Sequence, residues 1–268
     1  MKESSPVDHE LPGYNWDLKK LKQWIRQVLG REVGRSTLRA LLKRHRLSWK
    51  KCQKLLKKAN PAKRAAFIAA FQELYEQVCR GEIILLYLDQ SHFHRDMDLG
   101  YTWSTVGEVA WRPSSCPPLS DRINWYGAYN FNQGECFIWN EGSCNKETTV
   151  RFLRRLAEWV GPVDCPVVII WDGAPWHRAR IVQETAVELG ITLMPLPGYS
   201  PDLNPIEELW KWMREEVTRN HCYDTMRALF DACIAFVKRI NMDPQAVTSR
   251  LWPKFDLDPV VEKLLVSN

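Results

Sequence analysis

No apolar run in this 268-residue chain approaches the length of a membrane helix, which needs roughly 20 residues. The best runs, Ile83–Leu86 and Val167–Ile170, have strand length. The first eleven residues are polar and acidic and lack the basic-then-apolar order of a secretory signal, so a cytosolic protein is expected. The eight cysteines are scattered, with no C-x-x-C pair and no histidine at zinc-site spacing. Reduced, unligated thiols are the expectation, since disulfides are atypical in that compartment. Internal repeats and low-complexity segments are also missing. What remains is 45% hydrophobic and 26% charged, the profile of a globular protein.

The net charge of +5 conceals an asymmetry. Between Lys19 and Arg64 there are 17 Lys and Arg against one acid, Glu32, leaving 20 basic and 31 acidic residues elsewhere. A basic segment joined to an acidic body points to a nucleic-acid surface on the first and carboxylate chemistry in the second. A solvated basic helix face is the plainer alternative.

Within the basic segment, Leu18, Leu21, Trp24, Ile25, Val28 and Leu29 recur at helical spacing after Asp17, a good N-cap. After a break at Gly30–Gly34, Ser36 is expected to cap a second helix with Leu38, Leu41 and Leu42 inward and Arg35, Arg39, Lys43 and Arg44 outward. Two short helices joined by a tight turn form a helix-turn-helix, whose second helix enters the major groove. Arg35, Ser36, Thr37, Arg39, Lys43 and Arg44 are then the DNA contacts, and a wing strand at 47–51 adds Lys50 and Lys51 on backbone phosphates. A structural three-helix bundle with a basic surface is the competing reading.

Asn60–Pro61 starts a helix to about Cys79. Beyond Gly81 the periodicity changes to strands at Ile83–Leu88, Val106–Trp111, Ile123–Tyr129 and Glu135–Trp139. A helix at Lys146–Val160, a buried strand at Val167–Trp171, a helix from about His177 to Leu189, a strand at Ile191–Leu193 and a helix from Pro205 to Arg219 follow. The fold class expected is α/β, a mixed sheet flanked by helices behind a small all-α winged helix-turn-helix domain. Boundaries are expected at 1–60 for DNA binding, 61–80 for a linker helix, 81–225 for catalysis and 226–268 for a C-terminal helical region.

Ligands of open α/β sheets bind at the carboxyl ends of strands. Asp89 closes the first strand in this reading and Asp172 the central parallel one, although Asp172–Gly173 also suits a plain turn. A third acid lies in the proline-rich segment 196–210, where Glu207 falls near the start of a helix. Glu207 either completes a capping box with Asn204 or points at the sheet edge as a ligand. Glu208 is its neighbour and competitor. His92 and His94 share a strand face and suit either a metal or ordinary polar contacts, and His177 either touches DNA phosphate or serves the loop. Trp103, Trp111, Trp125 and Trp139 read as core or as DNA-facing platforms; Arg151, Arg154 and Arg155 form a basic helix face that is either solvated or on phosphate.

The segments Tyr87-Leu88-Asp89-Gln90, Trp171-Asp172-Gly173-Ala174-Pro175-Trp176-His177 and Ser200-Pro201-Asp202-Leu203-Asn204-Pro205-Ile206-Glu207-Glu208-Leu209-Trp210 resemble the three acidic motifs of the insertion sequence 630 group of the Tc/mariner transposase superfamily. The 34 residues between Asp172 and Glu207 match the spacing of that group. The resemblance, over about Trp16 to Arg219, implies a ribonuclease-H-like DDE domain with Asp89, Asp172 and Glu207 as catalytic triad and metal ligands. It implies two Mg²⁺ or Mn²⁺ ions per active site, Asp89 bridging both; hard oxygen donors suit those ions. It also implies duplex DNA with terminal inverted repeats as partner, a TA target, and a homodimer or higher oligomer working at the bacterial nucleoid.

Two departures stand out. Transposases of this kind usually carry two helix-turn-helix units, and one is legible here. Gly173 stands where many relatives have Asn, a change expected to affect loop contacts more than metal binding. Two alternatives remain: a ribonuclease-H-like nuclease without joining activity, which has no need of the basic segment, and a site-specific DNA-binding protein descended from an inactive transposase.

Overall fold

The computed structural model of the protein describes residues 4–49 and 60–253. The chain divides into two compact units, Met1–Leu55 and Leu56–Asn268.

The first unit holds α1 (Leu18–Leu29) and α2 (Arg35–Arg44). Asp17 caps α1 by accepting from the Lys20 backbone N–H at 2.8 Å, and Gly30 ends it in the left-handed region, φ 62°, where a side chain would be strained. α2 begins two residues earlier than expected. Gly34 is its N-cap and no side chain caps it, so Ser36 is free of that role. Leu21 and Leu38 are buried between the helices, whereas Leu41 is 45% exposed and leaves the inner face assigned to it. The difference is geometric: a pair of helices this short covers a narrow stripe. Leu47–Trp49 form no strand, and Lys50 and Lys51 lie outside the described residues.

The second unit is built on a five-stranded sheet in the order β3-β2-β1-β4-β5. Its strands are β1 (Ile84–His94), β2 (Arg122–Asn130), β3 (Glu135–Glu141), β4 (Val167–Trp171) and β5 (Ile191–Pro195). β1 to β3 are antiparallel neighbours, and β4 and β5 add in parallel. Strand alternation splits the core into two layers. Leu85, Tyr87, Phe93, Val168 and Ile170 face α3 (Pro61–Cys79), α6 (Ile206–Met213), α7 (Met226–Ile240) and α8 (Pro244–Arg250). Leu86, Leu88, Tyr126, Ile169 and Trp171 face α4 (Lys146–Val160) and α5 (Arg180–Glu188). Phe67, Ile68 and Phe71 of α3 belong to the first layer, so this helix is part of the second unit's core. The same holds for Leu229, Cys233 and Phe236 of α7.

Four expectations need correction. Residues 106–111 form no strand: Val106 is 100% and Trp111 81% exposed, within an irregular connection between β1 and β2. β1 is flanked by β2 and β4, and β2 by β1 and β3, so neither strand that this segment connects offers it an edge, and an unpaired backbone prefers water. β1 runs on to His94, paired with β2 throughout, so Asp89 is inside the strand rather than at its end. The helix expected from His177 is a 3₁₀ turn, Pro175–Arg178, followed by α5. At the other end, the helix expected to reach Arg219 passes from α6 into a π-helical stretch, Arg214–Thr218.

Among the described residues no helix is long and apolar enough to cross a membrane.

Candidate active site

β4 pairs with β1 only from Ile84↔Val167 to Tyr87↔Ile170. Asp89 and Asp172 each stand two positions beyond the last parallel pair, side by side where the ladder opens. Two-residue alternation also gives Asp89 the sidedness of Leu85 and Tyr87, and Asp172 that of Val168 and Ile170, which is the layer containing α6. Glu207 enters from the first turn of α6, which follows the 3₁₀ turn Pro201–Leu203. Asn204 does not cap α6 through its side chain; Pro205 is the N-cap, and the Glu207 N–H donates to the Asn204 backbone carbonyl at 3.1 Å. No capping box forms, and Glu207 is left without a helix-capping role.

The three carboxylates feel one another. Burial, then the charge of Glu207, with a smaller push from Asp172, raise the Asp89 carboxyl to about 8. Desolvation and the charge of Asp172 also raise Glu207. Asp172 goes the other way: a hydrogen bond from His177 holds it below the usual carboxylate range. Among the described residues no three His, Cys, Asp or Glu side chains close around one point as metal ligands. Each aspartate is instead turned to a neighbouring donor. The Trp210 indole Nε1 donates to Asp89 Oδ2 at 2.9 Å, and His177 Nδ1 lies 2.7 Å from Asp172 Oδ1. The donor set nevertheless suits a hard divalent cation, because three crowded carboxylates of like charge would be relieved by one.

His177 is 2% exposed, which rules out the phosphate contact considered for it. It stacks on Trp171 with ring centroids 4.1 Å apart and 5° between planes. Its Nε2 sits 3.1 Å from the amide nitrogen of Gln90, the residue after Asp89. The amide can only donate there, so Nε2 accepts and Nδ1 carries the proton that faces Asp172. Neither Gln90 nor Trp210 stands out from spacing; both lie within the acidic motifs, which is the one signal that pointed near them.

Glu208 pairs with Lys211 at 3.3 Å. His92 and His94 do share a face, with ring centroids 5.5 Å apart. His92 is held low by desolvation and by the nearby Arg214 cation, so it is neutral near pH 7. Trp125 is fully buried core, Trp139 is half-buried under the Arg155 guanidinium at 5.1 Å, and Trp103 is fully exposed. Arg151, Arg154 and Arg155 pair with Glu141, Glu188 and Glu158. In the first unit Arg35, Ser36, Thr37, Arg39, Lys43 and Arg44 are all exposed on α2, while Glu32 pairs back onto α1 through Lys22 at 3.0 Å and Arg26 at 3.3 Å.

Comparison with known proteins adds to this geometry. Residues 12–71 match the family described as winged helix-turn helix, and residues 84–229 match the DDE superfamily endonuclease family. The chain is 23% identical over 241 residues to the insertion element IS630 uncharacterized 39 kDa protein of Shigella sonnei, covering 90% of this chain and 69% of that protein. The Mos1 strand transfer complex superposes with a TM-score of 0.62 at 16% identity, over 96% of this chain and 79% of that one. The Mos1 mariner paired end complex with Mn gives 0.63 at 15% identity, over the same shares of 96% and 79%. These likenesses establish the ribonuclease-H-like fold, as the insertion sequence 630 and Tc/mariner resemblance implied. Since its endonuclease match spans more than half its length, the chain belongs to the DDE superfamily endonuclease family.

Proposed function

We propose that this protein is a DNA transposase of the Tc/mariner kind, cutting transposon ends and joining them to target DNA with Asp89, Asp172 and Glu207 as its catalytic carboxylates. What supports this reading is that three acids from three separate elements lie near enough, where the β1–β4 ladder opens, for the charges of Glu207 and Asp172 to act on Asp89. Their mutual repulsion supports Mg²⁺ or Mn²⁺ as the resident cofactor, two ions per site. When bound, such ions activate a water or 3′-hydroxyl on one side of a phosphodiester and stabilise the leaving oxygen on the other. The protein's own residues do the rest. Asp89 is held within β1 and Asp172 directly after β4, and His177, itself locked by Trp171 and Gln90, fixes the direction of the Asp172 carboxylate. No side chain needs to form a covalent link to DNA.

The exposed face of α2 is the surface offered to the transposon ends, with Arg35, Ser36, Thr37 and Arg39 toward base edges and Lys43 and Arg44 toward phosphate. Affinity resting on such contacts falls steeply with salt. Bringing two ends together requires at least two copies of the chain, and a TA dinucleotide is the proposed target.

The test is Mn²⁺- or Mg²⁺-dependent nicking and joining of labelled duplex carrying the inverted repeats that flank the gene. Wild type should cut and join, and Asp172→Asn should fall by at least about three orders of magnitude, the several kcal/mol that metal-ion catalysis contributes. Full strand transfer by Asp172→Asn would overturn the assignment, and binding with no cleavage by wild type would point to a DNA-binding protein only.

A further inference from the structure

α6 delivers a second group to Asp89 besides Glu207. Trp210 lies three residues beyond Glu207, so the two share one side of the helix. The indole is 3% exposed, and its Nε1 donates to Asp89 Oδ2 at 2.9 Å across 121 residues of sequence. Packing holds it there. Gly127 of β2 is the register partner of Asp89, and a Cβ at Gly127 would stand 2.5 Å from both Cη2 and Cζ2 of Trp210. The backbone of Gly127 is not in the left-handed region, so room for the indole, not conformation, is what glycine supplies. Phe93, two pairs further along the same face, meets the indole at 6.3 Å and 60°, and the Arg214 guanidinium lies 4.4 Å over Phe93.

A buried indole N–H commonly takes an acceptor, and a neutral carbonyl would serve, whereas the indole N–H groups of Trp24 and Trp176 are buried without one. Here the acceptor is the Asp89 carboxylate, 121 residues away in sequence, and Gly127 leaves the room that brings the indole to it, so core packing alone does not account for the choice. We infer that Trp210 is a positioning residue for Asp89, built with Gly127 to hold one carboxylate oxygen and present the other to a divalent cation. An indole N–H donates only; it neither ligates a metal nor takes a proton, so Trp210 acts through Asp89. The docking of α6 therefore sets the third acid and the orientation of the first in one step. This inference rests on the metal reading of the site proposed above.

The test is Mn²⁺ binding to the full chain by calorimetry, comparing wild type with Trp210→Phe and with benzothienylalanine at position 210, which keeps the indole shape and puts sulfur where the N–H was. Both variants should bind Mn²⁺ about 10- to 100-fold more weakly, the usual effect of losing a residue that orients a ligand. In the wild-type ¹H–¹⁵N spectrum, the indole resonance missing from Trp210→Phe should shift on adding Mg²⁺. Wild-type affinity in the benzothienylalanine protein overturns the inference even if Trp210→Phe is weakened or does not fold, because only packing is then at stake. A wild-type protein that takes up no Mn²⁺ overturns the metal reading, and this inference with it.

Discussion

Asp89 and Asp172 each stand two residues beyond the last β1–β4 pair, yet their surroundings drive them in opposite directions. Asp89 is enclosed by the sheet and α6, and burial together with Glu207 raises it to about 8, against hydrogen bonds from the Gln90 backbone and the Trp210 indole. Asp172 stands at the solvent edge, with its side chain 54% exposed, and His177 keeps it low. The site thus has one pole that resists charge until a cation arrives and one that is charged beforehand. The difference teaches that position in a sheet supplies proximity, while the neighbours contributed by other elements decide protonation.

The strongest way to break this comparison is at the charged pole. His177→Ala should weaken Mn²⁺ binding about 10- to 100-fold, and His177→Asn, which restores a donor near Nδ1, should recover much of it. Equal binding by His177→Ala in calorimetry would mean that Asp172 needs no orienter.

A smaller effect is expected in the pH dependence of metal-free stability. The folded-state value of Asp89 lies above its ordinary value, so the folded protein binds the extra proton. The stability this contributes is present below about pH 4 and is lost as pH rises through about 8. Glu207 acts in the same direction, whereas Asp172 acts oppositely, losing its contribution as pH falls. Asp89→Asn should therefore flatten the decline between pH 5 and 8 in chelator, raising the pH 8 melting temperature by a few degrees, about 2–4 °C for each kcal/mol in a domain of this size. An unchanged slope would place Asp89 in a more solvated setting than described.

The smallest effect is expected at Gly173. A Cβ there meets nothing within 4 Å, so Gly173→Asn should change stability by less than about 0.5 kcal/mol and leave Mn²⁺ affinity near wild type. A large loss in denaturant titration would show that the loop after Asp172 is tighter than its open surroundings suggest.

Much of this was legible in the sequence where the signal is local. The helix at Lys146–Val160 and the strand at Val167–Trp171 have the bounds that their periodicity expects, because a side-chain repeat of 3.6 or a short apolar run is written within one segment. The acidic motifs and their spacing likewise marked Asp89, Asp172 and Glu207 as candidates. Residues 106–111 defeated the same reasoning: their apolar character suits a strand, but a strand exists only where a partner edge is open, and β1 and β2 had closed it. β1 outran its apolar core for the matching reason, since pairing with β2 carries it through the polar Asp89–His94.

The sequence by itself determined which residue types are available, in what order and at what local spacing. Tertiary structure alone decided that Trp210 would donate to Asp89, that Gly127 would make room for it, and that His177 would be buried against Trp171 rather than offered to solvent. Contacts of that kind join elements far apart in the chain, and no periodicity within one segment records which faces will meet.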